Sequence, residues 1–232
     1  MINLIGLRYK SLVVCLLHKL QIMKPYMTLF AIVCVLTQLH AQRFSATINR
    51  LGIGADATFL RLDSDQINSR SKTGFAGYLE TRGEMSRSFD VIYSIGIFNH
   101  NLELEEIATN EIIETSMLGA EVKFLFAFRP LKNEYFTIEA GPAFMLNGEF
   151  KIDDADKARL IGSETPISLA EFEKTNPINL NVVAGFSAGT NNIRITAHYH
   201  YSFFDALDGV DTLGNELEGK LSYLSAGIRV YF

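Results

Sequence analysis

From residue 49 onward, apolar and polar side chains alternate with a period of two. Phe89, Val91, Tyr93, Ile95 and Ile97 interleave with Asp90, Ile92, Ser94 and Gly96; Leu118, Ala120, Val122, Phe124, Phe126 and Phe128 interleave with Gly119, Glu121, Lys123, Leu125 and Ala127. Ile193, Ile195, Ala197, Tyr199, Tyr201 and Phe203 alternate in the same way with Arg194, Thr196, His198, His200 and Ser202. Successive side chains of a strand point to opposite faces, so each segment has one greasy and one mixed face. The pattern predicts eight strands, over residues 49–61, 73–84, 88–99, 112–128, 134–147, 178–189, 192–204 and 220–232. Most of them reach the roughly 9–11 residues that a tilted membrane-crossing strand requires, against the 5–6 usual in soluble proteins.

The links point the same way. The sequence predicts tight connections at 85–87, 129–133 and 190–192, and long ones at 62–72, 100–111, 148–177 and 205–219. Short and long links alternate, as in an up-and-down barrel with short turns on one side of a membrane and longer loops on the other. The chain ends inside its last strand, with Phe232 in phase with Val230, Ile228 and Ala226. The expected fold is therefore all-β: an eight-stranded antiparallel up-and-down transmembrane β-barrel behind a cleaved signal peptide. A soluble, lipocalin-like binding barrel is the alternative that parity alone leaves open, with the greasy face turned inward around a cavity.

The leader is read from residues 1–41. Met23 and Lys24 open a short basic stretch, residues 26–39 are apolar, and Leu39-His40-Ala41 places a small residue before Gln42. This is the organisation of a secretory signal peptide cleaved near Ala41, with translation starting at Met1 or Met23. Residues 42–232 are then the barrel domain, exported to a bacterial outer membrane. Both cysteines, Cys15 and Cys34, fall in the leader, so the mature chain has no disulfide, thiolate nucleophile or thiolate metal site. Removing the leader also removes Arg8, Lys10, Lys19 and Lys24. That leaves 17 basic against 26 acidic residues, a formal charge of −9. So acidic a chain does not suit nucleic acid, whose phosphates require a basic face.

The Ala41-Gln42 junction, the Arg129-Pro130 strand end, the Ala140-Gly141-Pro142 step and the terminal Gly-Ile-Arg-Val-Tyr-Phe run resemble the PorT-type outer-membrane β-barrel domain family of Bacteroidota over residues 43–232. The resemblance implies a barrel rather than an activity. Some members of that family assist protein secretion across the outer membrane. Val230, Tyr231 and Phe232 match the terminal signal by which the barrel-assembly machinery recognises such chains.

Chemistry has few places to reside. The mixed face carries Asp56, Glu80, Arg82, Asp90, Glu121, Lys123, Glu139, Arg194, His198, His200 and Arg229. Eight strands enclose a space that side chains fill, so these groups are expected to pair across a closed lumen instead of lining a channel. His200 and Ser202 share a face, and a His-x-Ser pair resembles the catalytic residues of outer-membrane lipid A deacylases. Here the pair faces inward, and Phe203 stands where that family has Asn. The segments 102–114 and 204–219 and the run Asp153, Asp154 and Asp156 are acidic, and the first two contain no basic residue. Asp205, Asp208 and Asp211 are weak candidates for a divalent cation, since their spacing lacks the alternation of a calcium loop. No cofactor is implied. Expected partners are outer-membrane lipid and lipopolysaccharide, the assembly machinery, and a protein at residues 148–177, where a short helix is expected at 168–174. The functional expectation is a non-enzymatic barrel presenting acidic surface loops.

Overall fold

The computed structural model describes residues 49–162, 166–173, 176–207, 211–212, 215–216 and 218–232. The leader therefore lies outside the described residues, as do Asp208 and the end of the expected helix. Eight long strands form the wall: β1 (Asn49–Asp63), β2 (Ser69–Ser86), β3 (Phe89–Glu105), β4 (Ile112–Phe128), β5 (Phe136–Lys151), β8 (Ile178–Gly189), β9 (Ile193–Asp205) and β12 (Lys220–Tyr231). Between β5 and β8 come the small hairpin β6 (Leu160–Ile161) and β7 (Ile167–Ser168) and one helical turn, α1 (Leu169–Phe172); between β9 and β12 lies the hairpin β10 (Asp211–Thr212) and β11 (Asn215–Glu216). Each wall strand pairs antiparallel with its chain neighbour. β1 pairs with β12 from Gly52↔Tyr231 to Asp63↔Lys220, which closes the barrel. Among the described residues no helix is long and apolar enough to cross a membrane.

All eight expected strands are present, but several run further than the alternation indicated. β2 starts at Ser69, β3 continues to Glu105 and β5 to Lys151. The expected alternation of short and long links is not strict as a result: residues 64–68 form a shorter link than residues 129–135. The extensions exist because their inward residues Leu62, Leu102, Leu104 and Phe150 pack together and keep the hairpins paired.

The wall reverses its polarity part-way along each of several strands. On β3, the outward residues Phe89, Tyr93, Ile95 and Ile97 are exposed, and beyond them stand Asn99, Asn101, Glu103 and Glu105. The inward residues of the same strand run the other way, from Asp90 and Ser94 to Phe98, Leu102 and Leu104. β1 repeats this, with outward Leu51, Ile53 and Phe59 followed by Arg61 and Asp63, and inward Asp56 and Thr58 followed by Leu60 and Leu62. β4 does so from its other end, since outward Leu118, Phe124, Phe126 and Phe128 follow Glu114 and Ser116. Apolar side chains pack away from water, so the surroundings of the wall must change from apolar to aqueous along its height. From Leu51 to Phe59 the strand advances about 26 Å at ~3.3 Å per residue, or about 20 Å of height at a tilt of roughly 40°, close to the apolar band of outer-membrane barrels. A soluble barrel with a greasy cavity would keep one polarity outside throughout, so the lipocalin-like alternative does not describe this wall.

Candidate functional site

All eleven charged or histidine residues assigned to the inward face are there, each 5% exposed or less. They assemble into three linked groups at the height of the apolar band.

The first group centres on Arg82 of β2. Its Nε donates to Asp90 at 2.9 Å, one terminal nitrogen donates to Glu139 at 3.0 Å and the other to Thr137 at 3.1 Å. Arg129, just past β4, also donates to Asp90 and reaches Glu84 at 3.3 Å. Arg194 of β9 donates to Ser187 at 3.0 Å and to Thr137 at 3.2 Å, and His198 lies 2.7 Å from Glu139. In the second group Arg229 of β12 is fully buried between Asp56 and Glu80, with hydrogen bonds at 2.9 and 3.2 Å, and the Tyr231 hydroxyl donates to Glu80. Room for these two side chains comes from β1: a methyl group at Gly54 would stand 2.3 Å from Arg229 Cδ, and one at Gly52 2.6 Å from the Tyr231 ring. The two glycines of β1 thus have a concrete packing role.

The third group surrounds Glu121 of β4. The hydroxyls of Tyr223 and Tyr78 donate to it at 2.7 and 3.4 Å, His200 Nδ1 lies 3.1 Å away, and Lys123 Nζ is at 3.6 Å. The Lys123 ammonium also sits 3.6 Å from the Tyr78 ring centre. His200 stacks on Tyr223 at 3.9 Å, and Tyr223 in turn meets His100, whose Nδ1 bonds with Thr58 at 2.9 Å.

Above His100 the interior turns apolar. Leu60, Leu62, Leu102, Leu104, Ile113, Met117, Met145 and Phe150 line the mouth. The segment between β5 and β8 fills it, burying Ile152, Ile161, Ile167, Leu169 and Phe172, with Phe172 stacked on Phe150 at 5.0 Å. Here the expectation is corrected in part. Ion pairs and a small apolar cluster of Ile92, Leu125, Ala127, Ala143 and Val183 fill the lumen at band height, whereas the mouth is stoppered by hydrocarbon, because water surrounds the wall there and an apolar core forms as in a soluble domain. The expected helix is present as a single turn, capped by Ser168, whose backbone N–H donates to Glu171 at 3.1 Å.

The Ser202 hydroxyl donates to Asn179 at 2.9 Å and to the Phe204 carbonyl at 3.0 Å, while His200 Nε2 lies 3.5 Å from Ser225. Ser202 and His200 thus have separate partners and do not form a nucleophile–base pair. The Asp205 carboxylate accepts from the backbone N–H groups of Leu207 and Gly219, at 2.8 and 2.9 Å, and no metal-holding cluster occurs among the described residues. The acidic segments are less bare than their sequence suggests. Arg159 reaches Glu111 at 2.8 Å and Glu106 at 3.6 Å, Lys72 pairs with Glu114, and Lys157 reaches Asp154 at 3.2 Å and Glu173 at 3.3 Å. Val230 and Phe232 face outward, but the Tyr231 ring is turned inward.

Sequence reasoning missed Tyr78, Thr137, Ser187, Tyr223 and Tyr231 as members of these groups, although their inward parity is legible in the predicted strands, and it missed His100 because that residue falls in the predicted link 100–111.

No family model matches the chain, and no curated protein matches it. Among solved structures it is similar to Ail, the attachment invasion locus protein of Yersinia pestis, in complex with the heparin analogue sucrose octasulfate: 19% identity, TM-score 0.44, covering 79% of this chain and 97% of that one. It is also similar to Neisserial surface protein A, at 18% identity and a TM-score of 0.43 over 78% and 97% of the two chains. For the outer membrane protein AlkL in lipid bilayers the values are 11%, 0.41, 79% and 90%. At these scores the likenesses carry no weight for function, and the closed barrel stands on its own strand pairing.

Proposed function

We propose that the protein is a non-enzymatic integral barrel of a bacterial outer membrane, exported behind a cleaved leader. Its lumen is closed, and its work is done by the loops it presents outside: interaction, envelope organisation or a secretion-accessory role. The observation that carries this reading is the reversal of wall polarity, for instance at Ile97–Asn99 outside and His100–Leu102 inside β3. Such a reversal stabilises the chain only when lipid surrounds the lower wall and water the upper. The closed lumen supports the non-enzymatic part, since His200 and Ser202 hold other partners and both are buried. Membership of the PorT-type family, recognition of Val230, Tyr231 and Phe232 by the assembly machinery, and a protein contact on the segment 148–177 belong to the same proposal.

Envelope fractionation followed by a denaturing gel of boiled and unboiled samples tests the location. The protein is expected in the outer-membrane fraction with a heat-dependent band shift. Recovery as a soluble periplasmic protein without the shift would overturn the reading. In planar bilayers the intact barrel is expected to show no steady conductance.

A further inference from the structure

Where β1 meets β12, just above the apolar band, the outer surface carries a concavity of about 540 Å³ lined by Arg61, Lys220, Asp63, Asp65, Asp205 and Glu218 among others. A volume of this size holds a headgroup-sized ligand. Its chemistry is mixed rather than simply acidic. Arg61 and Lys220 are the first charged outward residues above Phe59 and Leu224 on the two seam strands. The Arg61 side chain is 74% exposed, and its Nε pairs with Asp63 at 2.8 Å. Lys220 Nζ stands 5.9 Å from the centre of the outward Tyr201 ring. The acids are partly occupied: Asp63 accepts from Ser222 at 2.8 Å, and Asp205 accepts two backbone N–H groups. The Ser64 hydroxyl donates to the Glu218 carbonyl at 2.7 Å and fastens the two sides of the concavity together.

We infer that this seam concavity is a binding site for the phosphorylated sugar headgroup of an outer-leaflet glycolipid. Each part of such a ligand has a counterpart. Acyl chains lie along Phe59 and Leu224, exposed on the wall two residues below Arg61 and its partner Ser222, and along Tyr201 and Phe203, exposed on the neighbouring strand beside them. The phosphate meets Arg61 and Lys220, where charge-assisted hydrogen bonds are the strong ones. The sugar hydroxyls donate to the carboxylates above. A free phosphate ion lacks the hydroxyls that make four acidic neighbours attractive, and a phosphatidylglycerol headgroup offers only two on a single glycerol, so the site favours a glycolipid over either. This inference rests on the membrane location proposed above.

The test uses native mass spectrometry of the detergent-purified full chain, titrated with diphosphoryl lipid A and, separately, with phosphatidylglycerol. A one-to-one lipid A adduct is expected at a concentration about tenfold below that needed for phosphatidylglycerol. Arg61→Gln with Lys220→Gln is expected to weaken the lipid A adduct about tenfold while keeping the heat-dependent band shift. Arg87→Gln with Lys132→Gln, at the other end of the barrel, is expected to leave the adduct unchanged. Equal occupancy by the two lipids, an unchanged adduct in the Arg61 and Lys220 double variant, or full displacement by millimolar inorganic phosphate or glucose 1-phosphate would each overturn the site. Loss of the band shift in the unaltered protein would instead refute the membrane location itself.

Discussion

Arg229→Ala is the most informative substitution in the interior. The guanidinium is fully buried and holds two carboxylates, Asp56 and Glu80, that are themselves nearly inaccessible. Removing it strands both acids and empties the space that Gly54 keeps open. Breaking a buried ion pair by deleting one partner costs about 3–5 kcal/mol, chiefly because the remaining charge is uncompensated. With a urea dependence of about 2 kcal/mol per molar, that loss lowers the unfolding midpoint by about 2 M. The chain has no tryptophan, so unfolding is followed by far-ultraviolet circular dichroism and by the gel band shift. Arg50→Ala is the control, because Arg50 pairs with Glu134 at 3.1 Å where both side chains are part-exposed, and such pairs contribute about 0–1 kcal/mol. Adding Asp56→Asn and Glu80→Gln to Arg229→Ala should restore part of the stability by removing the stranded charges. A midpoint for Arg229→Ala within about 0.5 M of the unaltered protein would refute the view that this ion cluster holds the barrel together.

Other predictions follow from the wall and the mouth. Ile95→Arg places a charge on the outward face well inside the band and should cost about 2–4 kcal/mol, whereas Ser71→Arg, exposed above it, should change stability by less than about 0.5 kcal/mol; equal effects in a bilayer unfolding assay would remove the membrane boundary inferred here. Gly227→Ala sets a methyl group 2.0 Å from the Ala55 carbonyl oxygen across the closing seam, and a loss of about 1–3 kcal/mol is expected in urea unfolding. Phe172→Ala removes the ring stacked on Phe150 and should expose the segment 152–177 to proteinase K at least severalfold faster, with the band shift kept because the ion groups below are untouched.

The strands and their facing were legible because alternation with period two is a local property of the chain. Every charge assigned inward, from Asp56 to Arg229, is inward, since a one-residue slip would have turned the whole set to the other face. Two kinds of information were not legible. Strand ends above the band, such as Asn99–Glu105, carry polar residues outward and apolar ones inward, so the alternation continues with its sense reversed and resembles a loop onset. Pairings between distant segments were also hidden: nothing local indicates that Arg159 sits beside Glu106 and Glu111, or that Phe172 returns to Phe150. These contacts depend on where the segment between β5 and β8 folds back, which is set by the apolar mouth it covers.

The reversal also explains why the interior is built from charges at band height at all. Inside a lipid layer an apolar outer face is obligatory, and if the inner face were apolar too the two faces would be interchangeable. Buried Arg229, Glu121 and Arg82 remove that ambiguity, because turning any of them outward would place an unpaired charge in hydrocarbon. Above the band water takes over the same task, penalising apolar residues outside, so the inner face can be Leu102, Leu104 and Phe150 without loss of register. Among the described residues, ion pairs below and hydrocarbon above fill the barrel. That filling supports the proposed role on the outer wall, at the rim or in the loops above.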